Sequence, residues 1–311
     1  MVNYYATIDH ALGSPKGRYF GQGHRRSIYS FTPDEQPRGR VAGTCTVTQD
    51  GLWSAKDTGV VSRHLSTIDA VSLAGLALQV TFRMEPVIVE KLFVTSISIK
   101  AGTASTEDLN AVPLEARIDW KPQDRAFACS VVVGTMKLAL TVEAVVGRSP
   151  ELVREDRPKF YAEHLQGRIQ HISDINIDCD SGSMQARLGA LVVGHDHSYR
   201  FSGFQSAHAE LFSISEAIVC LAQLAQTMAY EYDQISRDDS ATFWLRRLNI
   251  DLTRPRIKVG QLVDIDVKVS KTNEVAIGSQ AWRTLRLTAS GSGISAVADV
   301  AHILPSKDGD A

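Results

Sequence analysis

Two short motifs in this 311-residue chain set a hydroxyl three positions before a carboxylate, each at the head of an apolar run: Ser66-x-x-Asp69 in "STIDAVSLAGLALQ" and Ser213-x-x-Glu216 in "SISEAIVCLAQLAQ". Ser-x-x-acid at such a place is a capping box, in which the serine oxygen takes the N3 amide and the carboxylate reaches back to the N-cap amide. The same helix end can do chemistry. Its first amides have no intrahelical acceptor and the helix dipole is positive there, so a carbonyl placed against it is polarised and a developing oxyanion is stabilised. Acyl transfer then needs a base for the incoming hydroxyl. His64 and Asp69 stand at the first helix start, and His208, Glu210 and Glu216 at the second. His64, Asp69 and Glu216 are the catalytic candidates, with Ser66 and Ser213 beside the substrate. For the two carboxylates capping is the default role. His208 and Glu210 read as solvated loop residues.

Other motifs offer less. "YFGQGHRR" (19–26) places Tyr19, Arg25 and Arg26 as candidate substrate contacts, and either guanidinium could meet a phosphate. Its glycines do not open a strand-to-helix unit with the full dinucleotide pattern. In "HDHSYR" (195–200), His195, Asp196 and His197 are too closely spaced for a helical ligand pair, and no metal site is expected. The four cysteines are scattered with no CxxC, so neither a zinc site nor a disulfide framework is expected. No G-x-S-x-G nucleophile elbow is present. No cofactor is expected.

These residues need elements to hold them. Leu211, Ile214, Ile218, Leu221, Ala225 and Met228 recur at helical spacing, and Val219, Ala222, Leu224 and Ala229 make much of the opposite side apolar as well. Such a helix is buried on most sides. Ile68, Val71, Ala74, Gly75 and Leu78 behave alike, with Gly75 a weak point for helix. The remainder alternates with period two: "LALTVEAV" (138–145), "RLNIDLT" (247–253), "VDIDVKVS" (263–270) and "TLRLTAS" (284–290) read as half-buried antiparallel strands. Turn signals lie between such runs at Asp50-Gly51, "KPQD" (121–124), Ser181-Gly182 and "GSG" (291–293). Ten to twelve strands and few helices are expected.

The order repeats. Each half has a strand hairpin, one buried helix and then three or more alternating strands, and the two Ser-x-x-acid motifs are offset by 147 residues. The expected fold is α+β: a double hotdog, two curved antiparallel sheets each wrapping a central helix. The halves divide in the charged, aperiodic stretch "GRSPELVREDRPKF" (147–160), giving 1–153 and 154–311. Many more helices would be needed for a parallel α/β sheet, and a plain β-sandwich leaves the two buried helices unexplained. A net charge of −2 gives no basic field for nucleic acid. No apolar run is long enough to span a membrane and no secretory leader is visible, so a cytoplasmic protein is expected. A fused pair of hotdogs suits a monomer or a homodimer.

The chain length, "RYFGQGHRR" (18–26) and "HLSTIDAVSLAGLALQ" (64–79) resemble the avirulence protein D (AvrD) family of bacterial plant pathogens. More distantly, the paired pattern is similar to the A-factor biosynthesis family. The first resemblance implies formation of acyl glycoside elicitors, the syringolides, from a β-ketoacyl precursor and a five-carbon ketose. The second implies joining a β-ketoacyl thioester to a small phosphorylated alcohol. Together they imply an acyltransferase acting on an acyl carrier protein or CoA thioester with a sugar or polyol co-substrate. An acyl-thioester dehydratase or thioesterase, or a non-catalytic acyl-binding protein, would use the same fold. A dehydratase would need His64 to face Glu216 or Asp69.

Overall fold

The computed structural model describes residues 1–34, 37–51, 53–56, 59–119, 126–145, 157–193, 201–237, 240 and 243–305. "KPQD", "HDHSYR" and the 153/154 boundary lie outside the described residues.

Two helices, Thr67–Arg83 and Ile214–Asp233, lie where the apolar periodicity places them. Every residue from Ile68 to Gln79 and from Ile214 to Leu221 is buried. Their stability therefore comes from packing on all sides more than from intrinsic propensity. Thirteen antiparallel strands form one sheet around them, in the order 2–7, 168–178, 183–192, 263–277, 280–291, 294–303, 243–252, 92–100, 136–144, 126–133, 112–119, 40–49, 27–33.

That order contains a duplication. Leaving out 2–7, each half contributes six strands, two before its helix and four after. Ranked along the chain, both halves run first, second, fourth, fifth, sixth, third from the outer edge to the centre. The two third strands meet antiparallel, with Asn249 opposite Ser98. This is a double hotdog, continuous across the junction between its halves. The alternation read from the sequence sets which side chains face the helices: Val263, Ile265 and Val267 are buried and Asp264, Asp266 and Lys268 exposed.

Two features differ from the sequence reading. The chain bends at Gly51, with φ +78, but among the described residues no hairpin forms across Asp50-Gly51. Strand 40–49 is already paired with 27–33 on one side and 112–119 on the other, so the chain leaves the sheet, and a small ladder forms instead between 55–56 and 59–60. The segments that precede each half's first strand also cross over. Strand 2–7 pairs with 168–178, and the helical turn Ile8–Leu12 packs on the second helix. The turn Phe160–Glu163 packs on the first.

That second crossing explains Gly75. A Cβ there would stand 2.2 Å from Cγ of Tyr161. Gly75→Ala gains about 1 kcal/mol of helix propensity but must displace a buried ring. The net expectation in urea denaturation is a loss of about 1–3 kcal/mol. A stabilised variant would show that the ring does not rest on the helix.

Candidate functional site

The first helix begins with a complete capping box. Ser66 Oγ accepts from the Asp69 amide at 3.1 Å, and the Ser66 amide donates to Asp69 Oδ2 at 2.9 Å. Two tyrosines finish the carboxylate. The hydroxyls of Tyr19 and Tyr29 each donate to Asp69 Oδ1 at 2.9 Å, and the Tyr19 hydroxyl also lies 2.5 Å from Ser66 Oγ. Burial, reinforced by the Asp69 charge, pushes both phenols well above their ordinary range, so they remain donors. Asp69 is 1% exposed and holds three donors.

Just upstream, His64 Nδ1 lies 3.0 Å from the Ser62 carbonyl. A carbonyl can only accept, so Nδ1 is the donor and Nε2 is left without a hydrogen-bond partner among the described residues. The imidazole is half-buried between two tryptophans. Trp53 meets it edge-on with centroids 4.6 Å apart, and Trp244 stacks at 6.1 Å.

His64, Tyr19, Ser66 and Thr67 line the wall of a cavity of about 240 Å³. Lys56, Arg246, Ser105 and Thr135 also reach it. Arg246 is the unpaired residue of a bulge in strand 243–252, where the register slips between Leu245 and Arg247, and a bulge re-aims a side chain in this way. Arg18, Ser54, Thr106, Gln226, Arg237 and Thr288 add further polar groups to the wall, and apart from these the cavity is mainly apolar. It runs between the second helix, at Ile218, Leu221, Ala222 and Ala225, and the sheet of the second half, at Leu248, Leu287, Ala289, Ala296, Ala298 and Val300. The polar part thus comes chiefly from the first half and the apolar slot from the second.

The second helix start is built alike but closed. Ser213 and Glu216 form the same box, with Ser213 N donating to Glu216 Oε2 at 2.7 Å and Glu216 N to Ser213 Oγ at 3.4 Å. Here the finishing groups are Arg168, whose Nη1 donates to Glu216 Oε1 at 2.9 Å, and His164, whose Nε2 lies 3.2 Å from Ser213 Oγ. Arg168 also donates to the Ala209 carbonyl. The side chains of Arg168 and Glu216 are 2% and 0% exposed, and neither belongs to the cavity wall.

Two buried histidines back this region. Burial pushes His24 down to about 4, against hydrogen bonds to the Tyr19 carbonyl and Gln170 that partly oppose it. Burial, and then the Arg168 charge, hold His164 well below its ordinary value. Both resist protonation in the folded state, so the unfolded chain binds more protons once the pH falls below about 6.5. Stability is therefore whole above about 6.5 and declines toward pH 4, by roughly 1.4 kcal/mol per pH unit for each histidine in that window. Urea midpoints measured between these limits should show the slope, and His24→Asn should reduce it by about one proton. An unchanged slope in that variant would remove His24 from the account.

The structure brings His64, Tyr19, Ser66 and Asp69 together at one helix start. It does not bring Glu216 or Ser213 there. Arg25 and Arg26 do not line the cavity: Arg25 Nη2 donates to the Gln166 carbonyl at 2.9 Å, and Arg26 packs beside Gly51. His208 is a correction. It is buried at 4% exposure, with Nε2 3.1 Å from the Lys91 carbonyl, because its short 3₁₀ turn packs against Phe93. Glu210 is exposed. The sequence reading missed Trp53, Trp244, Tyr29, His164 and Arg168. Arg168 did leave a signal: it opens a strand in which Gln170 and Ile172 follow it inward, and a cation in that phase needs a buried partner.

The sequence profile of the Pseudomonas avirulence D protein (AvrD) family matches residues 3–305. The chain belongs to the AvrD family. No curated protein sequence matches this AvrD-family chain. Among solved structures it is similar to a conserved protein with hot dog fold from Alicyclobacillus acidocaldarius, with 8% identity and a TM-score of 0.42 over 88% of this chain and 96% of that one. It is also similar to the acyl-CoA thioesterase II TesB2 from Mycobacterium marinum, with 10% identity and 0.39 over 89% and 97%. A third is a variant of the PpsC dehydratase domain from Mycobacterium tuberculosis, with 11% identity and 0.36 over 88% and 97%. Among the described residues of the AvrD-family chain, no helix is long and apolar enough to cross a membrane.

Proposed function

We propose that this AvrD-family protein transfers a β-ketoacyl group from a carrier-protein or CoA thioester to a hydroxyl of a small sugar or polyol, giving a β-ketoacyl ester and a free thiol, with later cyclisation of that ester leading to an acyl glycoside or butyrolactone-type signal. The observation that carries the reading is the cavity: an apolar slot that ends at a helix N-terminus beside a histidine with a free ring nitrogen. In this reading the acyl tail lies in the slot, and the thioester carbonyl meets the unpartnered amides of the first helical turn. His64 Nε2 takes the proton of the acceptor hydroxyl as its oxygen attacks the carbonyl carbon. The tetrahedral intermediate collapses with cleavage of the C–S bond, and the imidazolium returns its proton to the departing thiolate. Ser66, Tyr19 and Asp69 hold the helix start rigid. Glu216 and Ser213 serve as a cap alone, and Arg25 and Arg26 take no part in binding.

A product assay tests this. The purified protein is given a β-ketoacyl thioester with a panel of sugars and polyols, and the expected product is an ester with loss of one thiol per acyl group. Free acid without ester would make water the acceptor and the protein a thioesterase. No thiol release from any thioester would defeat both enzyme readings and leave acyl binding.

A further inference from the structure

The slot has an end, and its position follows from strand register. Val300 stands opposite Leu245 and Leu285, Ala298 opposite Leu248 and Leu287, and Ala296 opposite Ile250 and Ala289. These are successive inward rungs of the same three strands. Val300, Ala298, Ala296 and Ala289 all line the cavity, as does Val267, which pairs with Ala289. The next inward residue, Ile294, pairs with Leu252 and Gly291, is 3% exposed and is not part of the wall. The cavity therefore stops where alanine gives way to isoleucine. From Val300 to Ala296 it spans four residues, about 13 Å at the rise of a strand. Across the slot, Ala222 and Ala225 keep the second helix back, and Ile218 stands beside them.

We propose that the Ala296–Ala289 rung, closed by Ile294, is the end stop that sets the length of acyl chain this protein accepts. The inference rests on the reading of the slot as the acyl site. A straight chain gains free energy with each methylene that finds apolar wall, and gains nothing once its terminus meets a filled rung. A side chain enlarged at that rung should shorten the accepted chain, and one reduced at Ile294 should lengthen it. A nonspecific apolar surface would respond to neither in a length-dependent way.

The test measures binding without requiring turnover. Straight-chain acyl N-acetylcysteamine thioesters from butanoyl to hexadecanoyl are titrated into the full chain, with intrinsic tryptophan fluorescence as the readout, since Trp53 and Trp244 stand at the polar end of the cavity. In Ala296→Leu the affinity for the longest well-bound probe should fall by about tenfold, the equivalent of roughly two methylene groups, while butanoyl binding is unchanged. Ala289→Leu should do the same. Ile294→Ala should move the optimum to longer chains. Melting curves accompany each variant, and the leucines enter existing space, so those two should stay folded. An identical length profile in all folded variants, or an equal loss for every probe, overturns the end stop while leaving acyl binding intact. Failure of every probe to bind the unaltered protein overturns the acyl reading itself, and the end stop with it.

Discussion

His64→Gln should cut turnover about 10²–10⁴-fold, the usual contribution of a positioned base, while leaving the melting curve almost unchanged. The stability expectation follows from the site. His64 is half-buried and its one hydrogen bond is to its near neighbour Ser62, so the substitution should stay within about 0.5 kcal/mol. The kinetic expectation follows from Nε2, the only atom of that ring free to take a proton. Glutamine keeps polarity and approximate size but supplies no base near neutral pH. The loss should therefore fall on kcat, with KM for the thioester changed much less, because the slot proposed for the acyl tail is lined chiefly by the second half. Unchanged turnover would remove His64 as the base. A fall in kcat with an equal fall in thermal stability would make its role one of holding Trp53 and Trp244.

Glu216→Gln should do the reverse. Arg168 would be left buried without its counter-charge, and breaking one partner of such a pair costs about 3–5 kcal/mol. In a chain of this size that corresponds to a melting temperature lower by roughly 5–8 °C. The folded fraction should keep its activity, since Glu216 does not reach the cavity. Arg168→Met combined with Glu216→Gln should recover much of the loss, because neither charge is then stranded. Urea denaturation of the two single variants and the double measures the coupling directly. If Glu216→Gln abolished product formation at unchanged stability, the carboxylate would have a chemical role that its enclosure under Arg168 does not predict.

The two helix starts show how far local sequence carries. Both Ser-x-x-acid motifs were legible as caps, because a capping box is closed within four residues and its partners are neighbours in the chain. The two buried helices and the strands flanking them were legible for a similar reason: the period of apolar residues reports which face is covered, whatever covers it. The duplicated order was visible as well, although the shared first-second-fourth-fifth-sixth-third arrangement of the strands was not. Nor did the sequence show that Asp50-Gly51 turns the chain out of the sheet, since that depended on neighbours already occupying both edges of strand 40–49.

What separates the two caps was beyond the sequence. In the first, Tyr19 and Tyr29 satisfy Asp69 with neutral hydroxyls and leave the adjoining wall open. In the second, Arg168 and His164 fill the same place and close it. Each of these partners lies about 40 residues or more from the carboxylate or serine it meets. No local pattern records such a meeting, because it is decided by which segments the folded sheet brings to the helix end. The slot has the same origin. Alanines at 289, 296 and 298 are ordinary residues of alternating strands, and they become a cavity only because register stacks them opposite Ala222 and Ala225. The sequence by itself determined the elements, their buried faces, the caps and the repeat, all of which arise from interactions a few residues long. Only the tertiary structure decided which helix end is open, which histidine lines the cavity there and where the slot stops, because each depends on contacts between residues distant in the chain.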